Sequence, residues 1–194
     1  MFKEIILASK SKVRKKILDK NNIISTVCAS NIDEELLKKN LLNNGATPEL
    51  ISKNLAELKA NKISQKKIDK IVLGADSVID LNGEIISKPK NREEALIILK
   101  KLNGKRHHLI SSVCISKNGI MIWNYTDKAT LTMKKMKEDE LKNYLKNIKD
   151  EDLYAYNVYQ IEGRGKSLFS EIKGNEDTIM GLPVEKIKEY LIKI

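Results

Sequence analysis

The chain has 194 residues, 41% of them hydrophobic, with a formal net charge of +10. That suits one packed unit, and no apolar run approaches the ~18 residues of a membrane span. With two Phe and one Trp there is little from which to build a base-stacking platform, and the lysines are scattered among Asn and Ile. The charge invites a nucleic-acid reading, but this scatter and the few aromatics argue against a stable nucleic-acid partner, while a basic protein still attracts small phosphorylated ligands.

In chain order, 5–8 reads as a buried strand, about 12–20 as a helix and 23–29 as a strand. Thr47-Pro48 opens a helix, with Thr as N-cap and Pro at the first helical position; Ile51, Leu55 and Leu58 fall on one apolar face. Strands 71–79 and 84–87 flank Asn82-Gly83, a hairpin signal. Asn91 caps the next helix, with Glu94 placed for a capping box and Gly104 at its end. Residues 108–116 and 120–133 pair around Asn118-Gly119, 138–148 is helical, 166–172 is a strand, and Pro183 starts a last helix. Alternating strands and helices with two hairpins predict α/β with a mixed sheet.

Residues 1–7 lack the apolar core of a signal peptide. Cys28 and Cys114 have no metal-type spacing and read as buried, reduced thiols of a cytosolic protein.

Four places could carry chemistry. Ser9-Lys10-Ser11-Lys12-Val13-Arg14 lies where a strand ends and a helix begins. Helix N-termini bind phosphate, although a plain serine cap beside a solvated arginine explains the same residues. Asp76 follows Ile71-Val72-Leu73 at what reads as the C-terminal end of a strand, where ligands gather in α/β sheets. A lone buried carboxylate costs several kcal/mol, roughly, so something must compensate it: a divalent cation, or simply a turn that it caps. Lys59 and Lys88 could neutralise phosphate, or be the solvated charges that lysines usually are. In Tyr159-Gln160-Ile161-Glu162-Gly163-Arg164-Gly165 the glycines permit close backbone approach to a ligand, and equally a turn. His107 and His108, at a strand start, read as satisfied surface or core histidines.

In order, these pieces resemble the Maf-like nucleotide pyrophosphatase family. The matching segments are Leu7-Ala8-Ser9-Lys10-Ser11 with Arg14, Ile32-Asp33-Glu34, Leu55-Ala56-Glu57-Leu58-Lys59-Ala60, Gly74-Ala75-Asp76-Ser77, Lys88-Pro89, Leu102-Asn103-Gly104, Ile161-Glu162-Gly163-Arg164-Gly165 and Gly181-Leu182-Pro183. The resemblance implies a single domain over 1–194, an elongated mixed β-sheet flanked by helices, and two lobes around a cleft, as in inosine triphosphatases. It implies a cytoplasmic enzyme, often a homodimer, that cleaves a nucleoside triphosphate between the α and β phosphates using Mg²⁺ or Mn²⁺. The family is also linked to cell-division arrest and to clearing non-standard nucleotides. By position, Ser9, Arg14, Lys59 and Lys88 would hold the triphosphate, with Val13, Ser77 and Glu162 completing the substrate site. Asp76 would be the general base, and Glu34 with Asp76 would bind the cation. The alternative is a basic nucleic-acid-binding or division-regulating protein without turnover.

The sequence departs from the family pattern in informative places. The usual Ser-Pro-Arg-Arg reads Ser11-Lys12-Val13-Arg14, the usual Gly before Lys88 is Ser87, and Tyr154-Ala155-Tyr156-Asn157 replaces Asp-Lys-Ala-Gly. The Gln of the thymidine/uridine branch is Glu162. An ionised Glu only accepts hydrogen bonds. Thymine and uracil offer it one N–H between two carbonyl oxygens, whereas guanine offers N1–H and an amino group side by side. The expected base is guanine-type, modified or not. The 7-methylguanosine triphosphate branch also has this Glu, but carries Trp where this chain has Val13.

Overall fold

The computed structural model describes residues 3–150, 153 and 158–194; the segment Tyr154-Ala155-Tyr156-Asn157 lies outside them. The chain forms one seven-stranded mixed sheet in the order β2-β1-β3-β5-β6-β7, with β4 added beside β3. The strands are β1 (Ile5–Leu7), β2 (Ser25–Val27), β3 (Val72–Leu81), β4 (Glu84–Ile86), β5 (Arg106–Lys117), β6 (Ile120–Met133) and β7 (Phe169–Lys173). The helices are α1 (Lys12–Lys20), α2 (Glu34–Asn43), α3 (Pro48–Ser64), α4 (Arg92–Leu102), α5 (Glu138–Lys146), α6 (Glu176–Ile179) and α7 (Val184–Leu191).

Local chemistry explains most boundaries. Ser11, Thr47 and Asn91 each accept the backbone N–H three residues on, starting α1, α3 and α4. Glu94 returns one residue early, to the Lys90 N–H, so the capping box is offset. Asn82-Gly83 and Asn118-Gly119 all take positive φ, as two-residue hairpin turns require.

The differences from the sequence reading are also physical. Helix α2 occupies a stretch for which no element was expected; Asp33 caps it at the Leu36 N–H (3.0 Å), and it buries none of its residues. Strand β2 is only three residues long. The expected strand at 166–172 begins as a 3-10 turn, Arg164–Leu168, before β7. Strand β3 does not end near Asp76. Its antiparallel pairing with β5 runs unbroken from Val72↔Ser116 to Asp80↔His108, so Asp76 sits mid-strand.

On the other edge of β3 the pairing is interrupted. Parallel β1 reaches only Leu73, and antiparallel β4 begins at Ile79. Among the described residues, Gly74 to Val78 therefore has no strand partner on that edge. The gap lies between two cores. One is built from β1, α1, α7 and the start of β3; the other from α4, α5, the far half of the sheet and the segment around Tyr159 and Ile161. A crevice between two packed halves is the cleft expected of the fold.

Candidate active site

The site is built from a strand with both faces in use. Side chains alternate along β3, so Gly74 and Asp76 face α3 while Ala75 and Ser77 face α1. Gly74 admits the helix: a Cβ there would lie 2.2 Å from the Ala56 carbonyl oxygen. Ser52 Oγ donates to the Asp76 carbonyl (3.1 Å), fixing helix against strand. The buried stripe of α3 then runs Ile51, Leu55, Ala56, Lys59, Ala60 and Ile63, while Leu58, expected on the apolar face, is 42% exposed. One helical position decides that Lys59 is not a solvated surface charge.

Lys59 Nζ lies 2.7 Å from Asp76 Oδ1 and 3.0 Å from Glu34 Oε2. The Lys59 and Asp76 side chains are only 5% and 4% exposed. Asp76 Oδ2 is buried and has no hydrogen-bond partner among the described residues. Burial pushes the Glu34 carboxyl upward, but the Lys59 charge and hydrogen bond, then Lys38 and Arg14, outweigh it and hold the carboxyl below its ordinary range.

The opposite wall is nearly saturated. Arg14 donates through Nε to the Gly181 carbonyl (2.9 Å), through Nη1 to the Ala75 carbonyl (2.9 Å) and Ser9 Oγ (3.2 Å), and through Nη2 to Ser77 Oγ (3.1 Å). Four of its five N–H groups are committed among the described residues. Burial lowers its pKa, opposed by Asp76 and Glu34. Gly181 must be glycine: its φ is +94°, and a Cβ would meet Ser77 Oγ at 2.9 Å.

Proton counting separates the two serines. Ser111 Oγ gives its proton to the Thr178 carbonyl (2.7 Å), so in the 2.8 Å Ser77–Ser111 contact Ser77 is the donor. Its one proton is thus committed. Ser9 Oγ accepts from the Ser11 N–H (3.2 Å) and from Arg14, which leaves its own O–H to point outward. The chain continues through Thr178 Oγ1, which donates to Asp127 Oδ2 (2.5 Å).

All of the residues singled out for the site, Ser9, Val13, Arg14, Glu34, Lys59, Asp76, Ser77, Lys88 and Glu162, line one cavity of about 540 Å³. Lys10, Lys12 and Lys38 join them, so six cationic side chains face three carboxylates, a balance suited to a polyanion. The cavity wall strips water from the Lys88 ammonium, and Arg14 adds repulsion, so its pKa is lowered. Gln160 Nε2 donates to Glu162 Oε1 (3.3 Å), and Gly165 lies where a Cβ would be 2.6 Å from the Gln160 backbone.

Sequence reasoning missed Ser52, Lys38, Ser111, Thr178 and Asp127. Only Ser111-Ser112 gave a signal: two hydroxyls inside the otherwise apolar 109–115 run need partners. His107 is a core residue, bonded to the Tyr159 hydroxyl (3.0 Å), and burial lowers its pKa to about 4. His108 pairs with Thr130 (3.1 Å). Cys114 is buried with its pKa raised to about 11 by desolvation, whereas Cys28 is only half-buried; both are free thiols.

The donor set fits a hard divalent cation. Mg²⁺ takes one or two protein carboxylates and fills its remaining positions with water and phosphate oxygens. Glu34 and Asp76 supply two carboxylates at one point, and the unpartnered Oδ2 is an acceptor awaiting a donor or cation. No group of three His, Cys, Asp or Glu side chains suited to metal occurs among the described residues, so a cage made of protein ligands alone is not what these side chains offer.

A mixed sheet whose gapped edge opens into one charged cavity defines an α/β protein with a crevice of the charge balance that suits a polyanion. The chain belongs to the Maf-like protein family, which matches residues 4–194. It is 72% identical over 191 residues to a nucleoside triphosphate pyrophosphatase of Pelagibacter ubique, covering 98% of both chains. It is 35% identical to a 7-methyl-GTP pyrophosphatase of Brucella abortus, covering 95% of this chain and 92% of that one. A HAM1 protein from Coxiella burnetii aligns over 69% of this chain and 73% of that chain, with a TM-score of 0.46 and 16% identity; a likeness this loose adds nothing to the fold described above.

Proposed function

We propose that this protein hydrolyses a nucleoside triphosphate with a guanine-type base at the α–β phosphoanhydride, releasing a nucleoside monophosphate and pyrophosphate, with Mg²⁺ or Mn²⁺ bound by Glu34 and Asp76. The observation that carries the proposal is the convergence of Glu34, Lys59 and Asp76 on one buried point, with Asp76 Oδ2 left without a partner.

The roles follow from the groups that line the cavity. The Ser9 hydroxyl and the N-terminus of α1 donate to phosphate oxygens. Lys59, Lys88 and the remaining Nη2–H of Arg14 neutralise the chain of phosphates. Asp76 Oδ2 accepts the proton of the attacking water, and its burial keeps the oxygen free of competing solvent. Water adds its oxygen to phosphorus as the bridging oxygen departs with the pyrophosphate. When bound, the divalent cation neutralises charge on the phosphates and lowers the pKa of water. Ser77 acts through Arg14, since its proton is already used.

Glu162 is the residue that reads the base. Gln160 occupies one of its oxygens, and a guanine edge offers two adjacent donors to a carboxylate. Kinship with a protein named for 7-methyl-GTP supports a guanine-type base, while Val13 leaves more room at the site than Trp would. The nucleotide pool also argues for a cytoplasmic protein; among the described residues no helix is long and apolar enough to cross a membrane.

The test is pyrophosphate release across a nucleotide panel with Mg²⁺ or Mn²⁺, using wild type and Asp76→Asn. Guanosine triphosphate or its 7-methyl form should be cleaved fastest, and only by wild type. No release from any nucleotide, together with salt-sensitive DNA binding, would instead support the alternative without turnover.

A further inference from the structure

In the protein alone, two carboxylates share one ammonium. Lys59 Nζ is within 3.0 Å of both Glu34 Oε2 and Asp76 Oδ1, and the pair it makes with Asp76 is buried. The backbone of Lys59 is held close to Asp76, because α3 is seated on Gly74 with no room for a Cβ and Ser52 Oγ ties the helix to the Asp76 carbonyl (3.1 Å). Its four-carbon stem can still swing the charge.

A divalent cation between the same two carboxylates would sit within a few ångströms of Nζ, roughly, where like charges repel strongly in a desolvated site. Ammonium and metal cannot both occupy that point. Beyond this pair the cavity offers the ammonium mostly repulsion: Arg14, Lys38 and Lys88 line it and are cationic, against the single further carboxylate of Glu162 among the described residues. An arriving polyphosphate changes this by supplying anionic oxygens to receive it.

We propose that Lys59 is a stand-in cation, holding the divalent-cation position between Glu34 and Asp76 until a polyphosphate draws it away, so that metal enters with the nucleotide and not ahead of it. The idea rests on the proposed function for the presence of a cation at this point. It adds a second duty for Lys59, a positioning one: keeping two facing carboxylates compatible while the site is empty. The buried, unpartnered Asp76 Oδ2 shows that one ammonium satisfies the pair only in part, which leaves the site poised for a stronger cation.

The test uses Mn²⁺ alone, with no nucleotide, titrated into the full chain and read as loss of the free-ion electron paramagnetic resonance signal. Lys59→Gln should bind Mn²⁺ at least about tenfold more tightly than wild type, while Lys59→Arg, which keeps a cation, should stay as weak as wild type. Should Lys59→Gln fold poorly by itself, Mn²⁺ should restore its circular dichroism and raise its Tm while leaving the wild-type Tm unmoved. Equal Mn²⁺ affinity in wild type and Lys59→Gln, or a Lys59→Gln protein that gains neither affinity nor Tm from Mn²⁺, would overturn the proposal. Turnover does not enter these readouts, so failure to release pyrophosphate and failure of the stand-in remain separate results.

Discussion

The two walls of the cavity are both charged and largely buried, yet they are finished to different degrees. On the Arg14 wall, four guanidinium N–H groups, two backbone carbonyls and the hydroxyls of Ser9, Ser77 and Ser111 are bonded to one another. On the Lys59 wall, one ammonium serves two carboxylates, and a buried oxygen of Asp76 goes unbonded. A saturated buried network is rigid and costly to break, whereas an unsatisfied buried acceptor is a free-energy penalty that a ligand can remove. The first wall is chiefly scaffold, keeping only the Ser9 hydroxyl and one Arg14 N–H for the phosphates, and the second is where bond-breaking chemistry is expected. Substitutions on the two walls should therefore fail in different ways.

The largest effect is expected from Asp76→Asn. Pyrophosphate release should fall by about 10³-fold, in the range of a lost general base, with a smaller loss of thermal stability than any break in the Arg14 wall. A variant that melts early and loses activity only in proportion would erase the contrast. Arg14→Ala should do the reverse in emphasis. It strands the Ala75 and Gly181 carbonyls and, at roughly 1–3 kcal/mol for each buried acceptor, should cost about 2 to 6 kcal/mol of stability, measured by denaturant unfolding; a near-neutral result would show that the wall is not scaffold.

Acid behaviour has to be separated from both. His107 titrates near 6.5 when unfolded and at about 4 in the fold, because burial disfavours its charged form. Between those values the unfolded chain binds more protons, so stability is present in full above pH 6.5 and is lost as pH falls toward 4, by about 3 kcal/mol. Thermal melts of wild type and His107→Gln across that window should show a flatter profile in the variant. Activity lost with acid in wild type but retained in His107→Gln would then belong to the core and not to the site.

Two smaller effects sharpen the picture. Ser111→Ala leaves the Ser77 hydroxyl proton without its acceptor, while the Thr178 carbonyl keeps the Gly181 N–H (3.0 Å); it should cost about 1 to 2 kcal/mol, with activity falling only severalfold because Ser111 lies behind Ser77. Glu162→Gln should leave stability unchanged and shift relative kcat/KM about tenfold from guanosine toward uridine or thymidine triphosphate. An unchanged substrate profile would remove Glu162 from base reading.

Much of the architecture was legible because it is written locally. Thr47-Pro48, Asn82-Gly83 and Asn118-Gly119 act through their own backbone preferences, and the structure uses each as expected. Helix α2 escaped because none of its residues is fully buried, leaving no clear apolar stripe to detect. The strand at 71–79 was legible and the structure carries it to Leu81, but reading Asp76 as its C-terminal end was wrong, because the pairing past Asp76 is made with β5, some thirty residues away. Among site residues, Asp76 and Arg14 could be singled out by type and motif. Asp127 and Thr178 could not, since they join the site only through a chain of hydrogen bonds across the sheet.

The sequence by itself determined the caps, the hairpins, the alternation of strand and helix, and the motif residues of a Maf-like chain, because short-range sterics and side-chain period specify them. Only the tertiary structure decided that Lys59 is buried and not solvated, that Asp76 meets it beside the gap between β1 and β4, and that one carboxylate oxygen has no partner among the described residues. Those outcomes depend on how closely a helix approaches a strand and where two neighbouring strands stop, and such distances arise only when remote segments pack together.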